Sequence, residues 1–261
     1  MVSRFVAALL CACGPLVAPA VAADRISMRV EVYGLMGLHV LTLNTYVDEA
    51  GERYAINMHY KTTGVAGLII DQQTHATASG RLIPASAQPE AFRSETRRNG
   101  VERQEEVNFR PDGSVDGKVI PVVADVATAA TARGTVDNLT AYFRLERQLA
   151  AKGTCALMVP VFDGRSRYDL VFSDGGKQVL SPEGGQHIEG STITCKMARQ
   201  VRSAPEGEQG EGARQGTLWY APLLPGDVVV PVRMQLETQI GTVDAYLAEL
   251  HGRGVDLQLM K

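Results

Sequence analysis

Apolar residues at every second position, over stretch after stretch, constrain this chain more than any other feature. Ile26, Met28, Val30 and Val32 alternate with Ser27, Arg29, Glu31 and Tyr33, the period of a strand with one buried and one wet face. Tyr54, Ile56, Met58 and Tyr60 repeat the pattern after a turn signal at Asp48 to Gly51. Val230, Val232, Met234 and Leu236 repeat it near the other end, between Arg233, Gln235 and Glu237. Asn99-Gly100 and Asp112-Gly113 accept the positive φ angles of tight hairpin turns. Ile193 to Val201, Thr217 to Ala221, Val228 to Ile240 and Val243 to Leu250 also read as strands, so the count reaches ten or more. A mostly β fold, built as a single curled antiparallel sheet, is expected. Gly34-Leu-Met-Gly37-Leu38 is echoed by Gly64-Val-Ala-Gly67-Leu68, and these paired glycines read as bends that let the sheet curl. The functional alternative is a backbone approached closely by a ligand. Gly80 to Pro89 and Val123 to Thr131 read as connections, and Pro205 to Gly216, rich in Gly and Glu, as a mobile loop.

One segment breaks the period. Asn138 to about Ala151 reads as a helix, capped by Thr135 or Asp137 and stopped at Lys152-Gly153. Leu139, Tyr142, Phe143 and Leu149 form its apolar stripe, opposite Arg144, Arg147 and Gln148, so it should lie across a sheet or plug a barrel mouth. Beyond it, a two-residue Asp163-Gly164 turn predicts Phe162 paired with Arg165, Val159 with Tyr168 and Cys155 with Phe172. Cys155 then shares the core face with Val159, Tyr168 and Leu170, while Met158 and Pro160 lie with Arg167 and Asp169 on a solvated face.

The first residues look like an export signal. Arg4 supplies a positive start, Phe5 to Val17 an apolar run and Ala20-Val21-Ala22 a small-x-small cleavage pattern. Cleavage after Ala22 would deliver residues 23–261 to the periplasm as one β domain. A membrane anchor fits poorly, because Gly14, Pro15 and Pro19 interrupt the run and no basic stop-transfer flank follows. Lipidation at Cys13 is the other alternative, with a small residue before it but an apolar run that continues past it. Of 26 basic residues Arg4 would leave with the signal, so 25 face 29 acidic ones, a net charge of −4 with no basic stripe. Nucleic acid is therefore not an expected partner. Cys11 and Cys13 would also leave, and Cys155 and Cys195 should then pair in an oxidising compartment. Without a Cys or His at ligand spacing beside them, neither a redox nor a metal site is expected there.

Catalytic patterns are weak. The histidines at 39, 59, 75, 187 and 251 are scattered, and Gly164-Arg-Ser166-Arg-Tyr168 is half a nucleophile elbow in a hairpin. Glu105 and Glu106 alternate across a strand, which separates them. Neither an enzyme nor a cofactor is expected.

The order and spacing of larger pieces carry a resemblance. Asp137-Asn-Leu-Thr-Ala141, Cys155, Val161-Phe-Asp163-Gly164-Arg165-Ser-Arg167-Tyr168-Asp-Leu170, Cys195, Leu218-Trp219 and Pro231-Val-Arg233 together resemble the domain-of-unknown-function 3108 family. Asn138 departs from it, standing where that family usually has proline. The resemblance implies an exported protein with a curled sheet, a half-barrel or β-spiral similar to periplasmic lipoprotein carriers, and it implies no reaction. An apolar concavity under a helix suits a lipid or acyl chain, with Tyr168, Trp219, Tyr220 and Arg233 as candidate contacts and a lipid or lipoprotein as partner. The rival expectation is an envelope-integrity factor whose barrel is filled by Met, Tyr and Leu. It would touch another envelope protein through its sheet edge, its acidic loop or Trp219-Tyr220. Arg167 and Arg233 read as salt-bridge residues.

Overall fold

The computed structural model describes residues 24–34, 37–122, 131–182, 185–206, 212–226, 228–239 and 241–260. The expected export signal, the stretch 123–130 and the centre of the 205–216 loop lie outside those residues. Seven strands come first: β1 (Asp24–Tyr33), β2 (His39–Ala50), β3 (Arg53–Thr62), β4 (Gln72–Ile83), β5 (Ser86–Arg98), β6 (Val101–Phe109) and β7 (Val115–Ile120). A short helix, α1 (Gly64–Ile69), joins β3 to β4, and α2 (Asn138–Lys152) follows β7. Then come β8 (Leu157–Phe162), β9 (Arg167–Leu180), β10 (Gly190–Ser203), β11 (Gln215–Leu224), β12 (Val228–Thr238), β13 (Gly241–Gly252) and β14 (Val255–Gln258).

These 14 strands make one antiparallel sheet in the order β7-β6-β5-β4-β3-β2-β1-β13-β12-β11-β10-β9-β8, with β14 beside β13. The chain starts mid-sheet, meanders to one edge, crosses through α2 to the other edge and meanders back. The sheet is not closed into a barrel; it curls. One cross-strand row on its concave face runs Met28, Thr45, Met58, Ala76, Ser94, Glu105, and the next runs Ile26, Val47, Ile56, Ala78, Phe92, Val107, Gly117. Small residues at Ala76, Ala78 and Gly117 leave room for the sheet to fold inward. The row on the other side of the first, Arg29, Asn44, His59, His75, Glu95, is polar and faces outward. The two arms meet at a seam: Gly117 lies against the Phe162 ring, Gly164 against the Glu105 side chain, and Val136 bridges to Val161.

Helix α2 lies inside the curl. Asp137, not Thr135, is its cap, accepting from the Thr140 amide at 2.8 Å and the Thr140 hydroxyl at 2.6 Å, and Tyr54 on β3 joins this group at 2.7 Å. Gly153 ends the helix in the left-handed region. The expected wet face is missing, because sheet surrounds the helix on several sides. Gln148 is buried and donates to the Ala156 carbonyl at 2.8 Å, while Arg144 and Arg147 donate to the carbonyls of Ala87 and Ser86. Leu139 and Tyr142 are only half-buried; Phe143, Leu145 and Leu149 carry the packing.

Four local expectations change. The Asp163 turn is wider than two residues: its carboxylate accepts from the amides of both Arg165 and Ser166, and Val159 pairs with Leu170 and Leu157 with Phe172. The register moves by two, which keeps every residue on its expected face. The 80–89 connection is mostly strand, with β4 and β5 joined by Pro84-Ala85. The two glycine pairs lie in connections, one as the β1–β2 loop and one as α1, so they do not bend strands. On the outer face Asp169 is buried, not solvated, under Arg167 and Arg202.

A strand glycine at 80 has its own reason. It sits at a register shift between β4 and β5, and a Cβ there would come within 2.1 Å of the Gln88 carbonyl oxygen. Gly80→Ala should therefore cost about 2–3 kcal/mol, read from the urea midpoint of unfolding, since backbone and not a pliable side chain must yield. An unchanged midpoint would mean that the strands part there freely.

Candidate functional site

Helix α2 divides the concavity in two. The larger cavity, of about 350 Å³, lies beside the helix N-terminus between β3–β6 on one side and the Asp163 turn, β9 and β10 on the other. Strand periodicity builds its walls. Met58, Ala76, Phe92 and Leu170 give it an apolar floor, and the rings of Tyr60, Tyr142 and Tyr168 stand around it. Four arginines line it, Arg98, Arg103, Arg165 and Arg199, against two acids, Glu105 and Asp163, among the described residues.

The arginines are held in place. Arg199 stacks its guanidinium 4.1 Å from the centre of the Tyr168 ring. Arg165, almost fully buried, has its Nε 4.0 Å from Glu105 across the seam. Burial pushes the Glu105 carboxyl up to about 7, with Arg165 and Ser94 pulling the other way. Burial likewise raises the Tyr168 hydroxyl well above its ordinary value, so it stays neutral. Among the described residues the cavity thus combines aromatic surface with more arginines than acids, a lining that suits a negatively charged group attached to an apolar or ring-shaped body.

Several residues singled out in the sequence converge here. Tyr168, Asp163 and Arg165 line the cavity, and Gly164 shapes the turn that presents them, its φ of 98° and its closeness to Glu105 leaving no room for a side chain. Asp137 lies behind it, capping the helix whose first residue, Asn138, is part of the wall. Arg167 is elsewhere, paired on the outer face with Asp169 at 2.5 Å. Trp219 and Tyr220 point to opposite faces, as strand neighbours must. Tyr220 packs in the core cluster with Leu145 and Leu218, and the Trp219 indole donates to Gln178 at 2.8 Å. Arg233 stacks between Trp219 and Tyr246, at 5.1 and 5.3 Å, with Asp244 at 3.5 Å. None of these three lines the cavity. Arg199, Arg103 and Tyr142 do, and two of them were legible: Arg199 follows Cys195 and Met197 by period two, and Arg103 precedes Glu105 by the same step. The disulfide expected between Cys155 and Cys195 is formed, with a Cα separation of 5.6 Å and both residues buried. Among the described residues no group of three or more His, Cys, Asp or Glu could hold a metal ion.

A family profile described as "Protein of unknown function (DUF3108)" matches residues 27–248, from β1 into β13. The chain belongs to the DUF3108 family. As a DUF3108 protein it is also similar in fold to a solved structure from Brucella abortus, described as a beta-barrel-like protein of domain of unknown function DUF1849. That likeness has a TM-score of 0.53 at 11% identity and covers 89% of this chain and 99% of the other. Such low identity carries the curled sheet across and nothing more. No curated protein matches this DUF3108 sequence.

Proposed function

We propose that this protein is a non-catalytic, exported envelope component that holds an anionic amphiphile, such as an acyl chain ending in a carboxylate or phosphate, in the cavity between the two arms of its sheet. The observation that carries the reading is four arginines over an apolar and aromatic floor, two of them locked by Tyr168 stacking and by the Glu105 seam. Guanidinium groups beside an apolar floor favour an acidic head on the hydrophobic ligand first expected. The export pattern at residues 1–22 supports the compartment.

A rival role, contact with another envelope protein, draws on one observation: α2 fills the middle of the curl with Phe143, Leu145 and Leu149, as a scaffold would.

Native mass spectrometry of the protein purified gently from its own cells, followed by lipid extraction, tests both. The expected result is a mature chain beginning at Ala23 with one bound anionic amphiphile, and an Arg199→Glu variant that keeps its circular dichroism but loses the adduct. A clean apo mass would move the weight to the scaffold role.

A further inference from the structure

Across α2 from the arginine-lined cavity lies a second one, of about 270 Å³, with different chemistry. Ile26, Met28, Val47, Phe143 and Val230 make its walls largely apolar, and Glu146 stands on its helical side. The other charges around it are matched among themselves. Glu49 has Arg147 at 3.6 Å and Arg253 at 3.5 Å, Arg253 also has Asp24 at 2.7 Å, and Arg147 donates to the Ser86 carbonyl at 2.9 Å. Glu146 takes part in none of these pairs, and among the described residues its carboxyl has no hydrogen-bond or ion-pair partner. Glu146 is half-buried, and a carboxylate set against apolar side chains loses part of its hydration, a cost that a cation in contact with it offsets.

We propose that this second cavity binds an apolar chain ending in one protonated amine, with Glu146 as the counter-ion. The charge balance favours a single cation, because Arg147 and Arg253 stand against Glu49 and Asp24, and Glu146 becomes the charge left over once it gives up its proton. The walls favour hydrocarbon behind the amine, since the area they bury is apolar. This site is separate from the one proposed above and does not depend on it.

Proton uptake gives the site a signature. Burial, reinforced by Glu49 on β2, pushes the Glu146 carboxyl up to about 8. Arg147 on the same helix, Arg253 after β13 and Tyr220 on β11 are the other titratable groups around it. At pH 7 the empty site therefore carries a proton on Glu146, and an arriving ammonium group must displace it.

Isothermal titration of the purified protein with n-octylamine, 1-octanol and octanoate, at pH 7 in two buffers of different ionisation enthalpy, tests this. Octylamine should bind at one site and release close to one proton, with the alcohol and the acid binding at least about tenfold more weakly, one unit of pKa in free-energy terms. Glu146→Gln should weaken the amine at least about thirtyfold, the low end for truncating one partner of a desolvated charge pair. Replacing octylamine with Nα-acetyl-lysine amide asks whether a lysine side chain of a polypeptide is enough; binding of either amine supports the site. The proposal is overturned if octanol or octanoate binds as tightly as octylamine, if no proton is released from the unaltered protein, or if Glu146→Gln leaves amine binding unchanged. Proton release is read without any variant, so a variant that misfolds does not leave the question open.

Discussion

Replacing Cys155 and Cys195 together by alanine should lower the unfolding free energy by about 4 kcal/mol, the chain-entropy value for a bridge closing a loop of this length. The two cysteines are 40 positions apart, and the closed loop contains β8, β9 and the segment leading into β10. The bridge ties the exit of α2 to the sheet. The Cys155 amide and the Thr154 hydroxyl both donate to Asp174, at 2.6 and 2.8 Å, and the core cluster of Val159, Leu170, Phe172 and Met197 closes around the sulfurs. Without the covalent tie, the unfolded chain regains its freedom while these contacts remain, so the loss appears as a lower urea midpoint, with a steeper slope because the less constrained unfolded chain exposes more surface. Because both cysteines are fully buried, lost packing adds to the entropic term. A loss below about 1 kcal/mol would show that β8 and β9 are held by packing alone.

Stability should also fall as the pH rises from about 5 to 9, opposite to the behaviour of a protein whose carboxylates all sit in ion pairs. Three acids have proton affinities raised in the folded state by burial. Asp137 is pushed up to about 6, against hydrogen bonds from Thr140, Glu105 to about 7, against Arg165, and Glu146 to about 8, with Glu49 adding to the effect. Unfolded, such groups titrate near 4. The folded chain therefore binds more protons than the unfolded one between about pH 4 and 8. The stability this contributes is complete below pH 4 and is lost as the pH climbs through 6, 7 and 8 in turn. Each tenfold difference in proton affinity is worth about 1.4 kcal/mol, and after discounting for relaxation and water access the combined loss should still reach roughly 3 kcal/mol. Below pH 4 the trend reverses. Glu90 on Arg53 and Arg81, Asp174 on the Cys155 amide and Glu249 on Arg29 are all held under the usual carboxylate range, and protonating them removes those bonds. Thermal melts from pH 3 to 9 should thus peak near pH 4. Glu146→Gln should raise the melting temperature at pH 9 and leave it nearly unchanged at pH 5, because the amide stays neutral throughout. A flat profile, or one that climbs towards pH 8, would rule out these buried acids as the source.

How much of this was legible before folding can be argued element by element. The faces of β1 and β3 follow from the alternation of Ile26 to Val32 and Tyr54 to Tyr60, because in a strand the side chain's direction is set by its parity and nothing distant can change it. The limits of α2 follow from Asp137 and Gly153, whose local hydrogen bonds and backbone preferences act within one turn. The Cys155–Cys195 pairing follows from arithmetic, since two cysteines remain once the export pattern is set aside. The register of the β8–β9 hairpin did not follow. The Asp163 side chain captures two amides and widens the turn, a choice between competing local geometries that the Asp-Gly dipeptide alone leaves open.

The cavity residues divide in the same way. That Tyr168 and Arg199 face inward is a matter of parity along a strand, but that they stack on each other depends on how β9 and β10 pair. Arg165 and Glu105 lie 60 positions apart and meet because the sheet curls far enough for its arms to touch, which Gly117 and Gly164 permit. Of the candidate contacts Trp219, Tyr220 and Arg233, the sheet brings Arg233 onto Trp219 by cross-strand pairing and sets Tyr220 apart in the core. Local patterns therefore determined which residues form strands, which side each faces and where the helix begins and ends, all properties of short-range sterics and hydrogen bonding. The strand order with β13 docked on β1, the helix inside the curl and the two differently lined cavities on either side of it came from contacts between distant segments, whose partners are selected by burial and shape across the whole molecule.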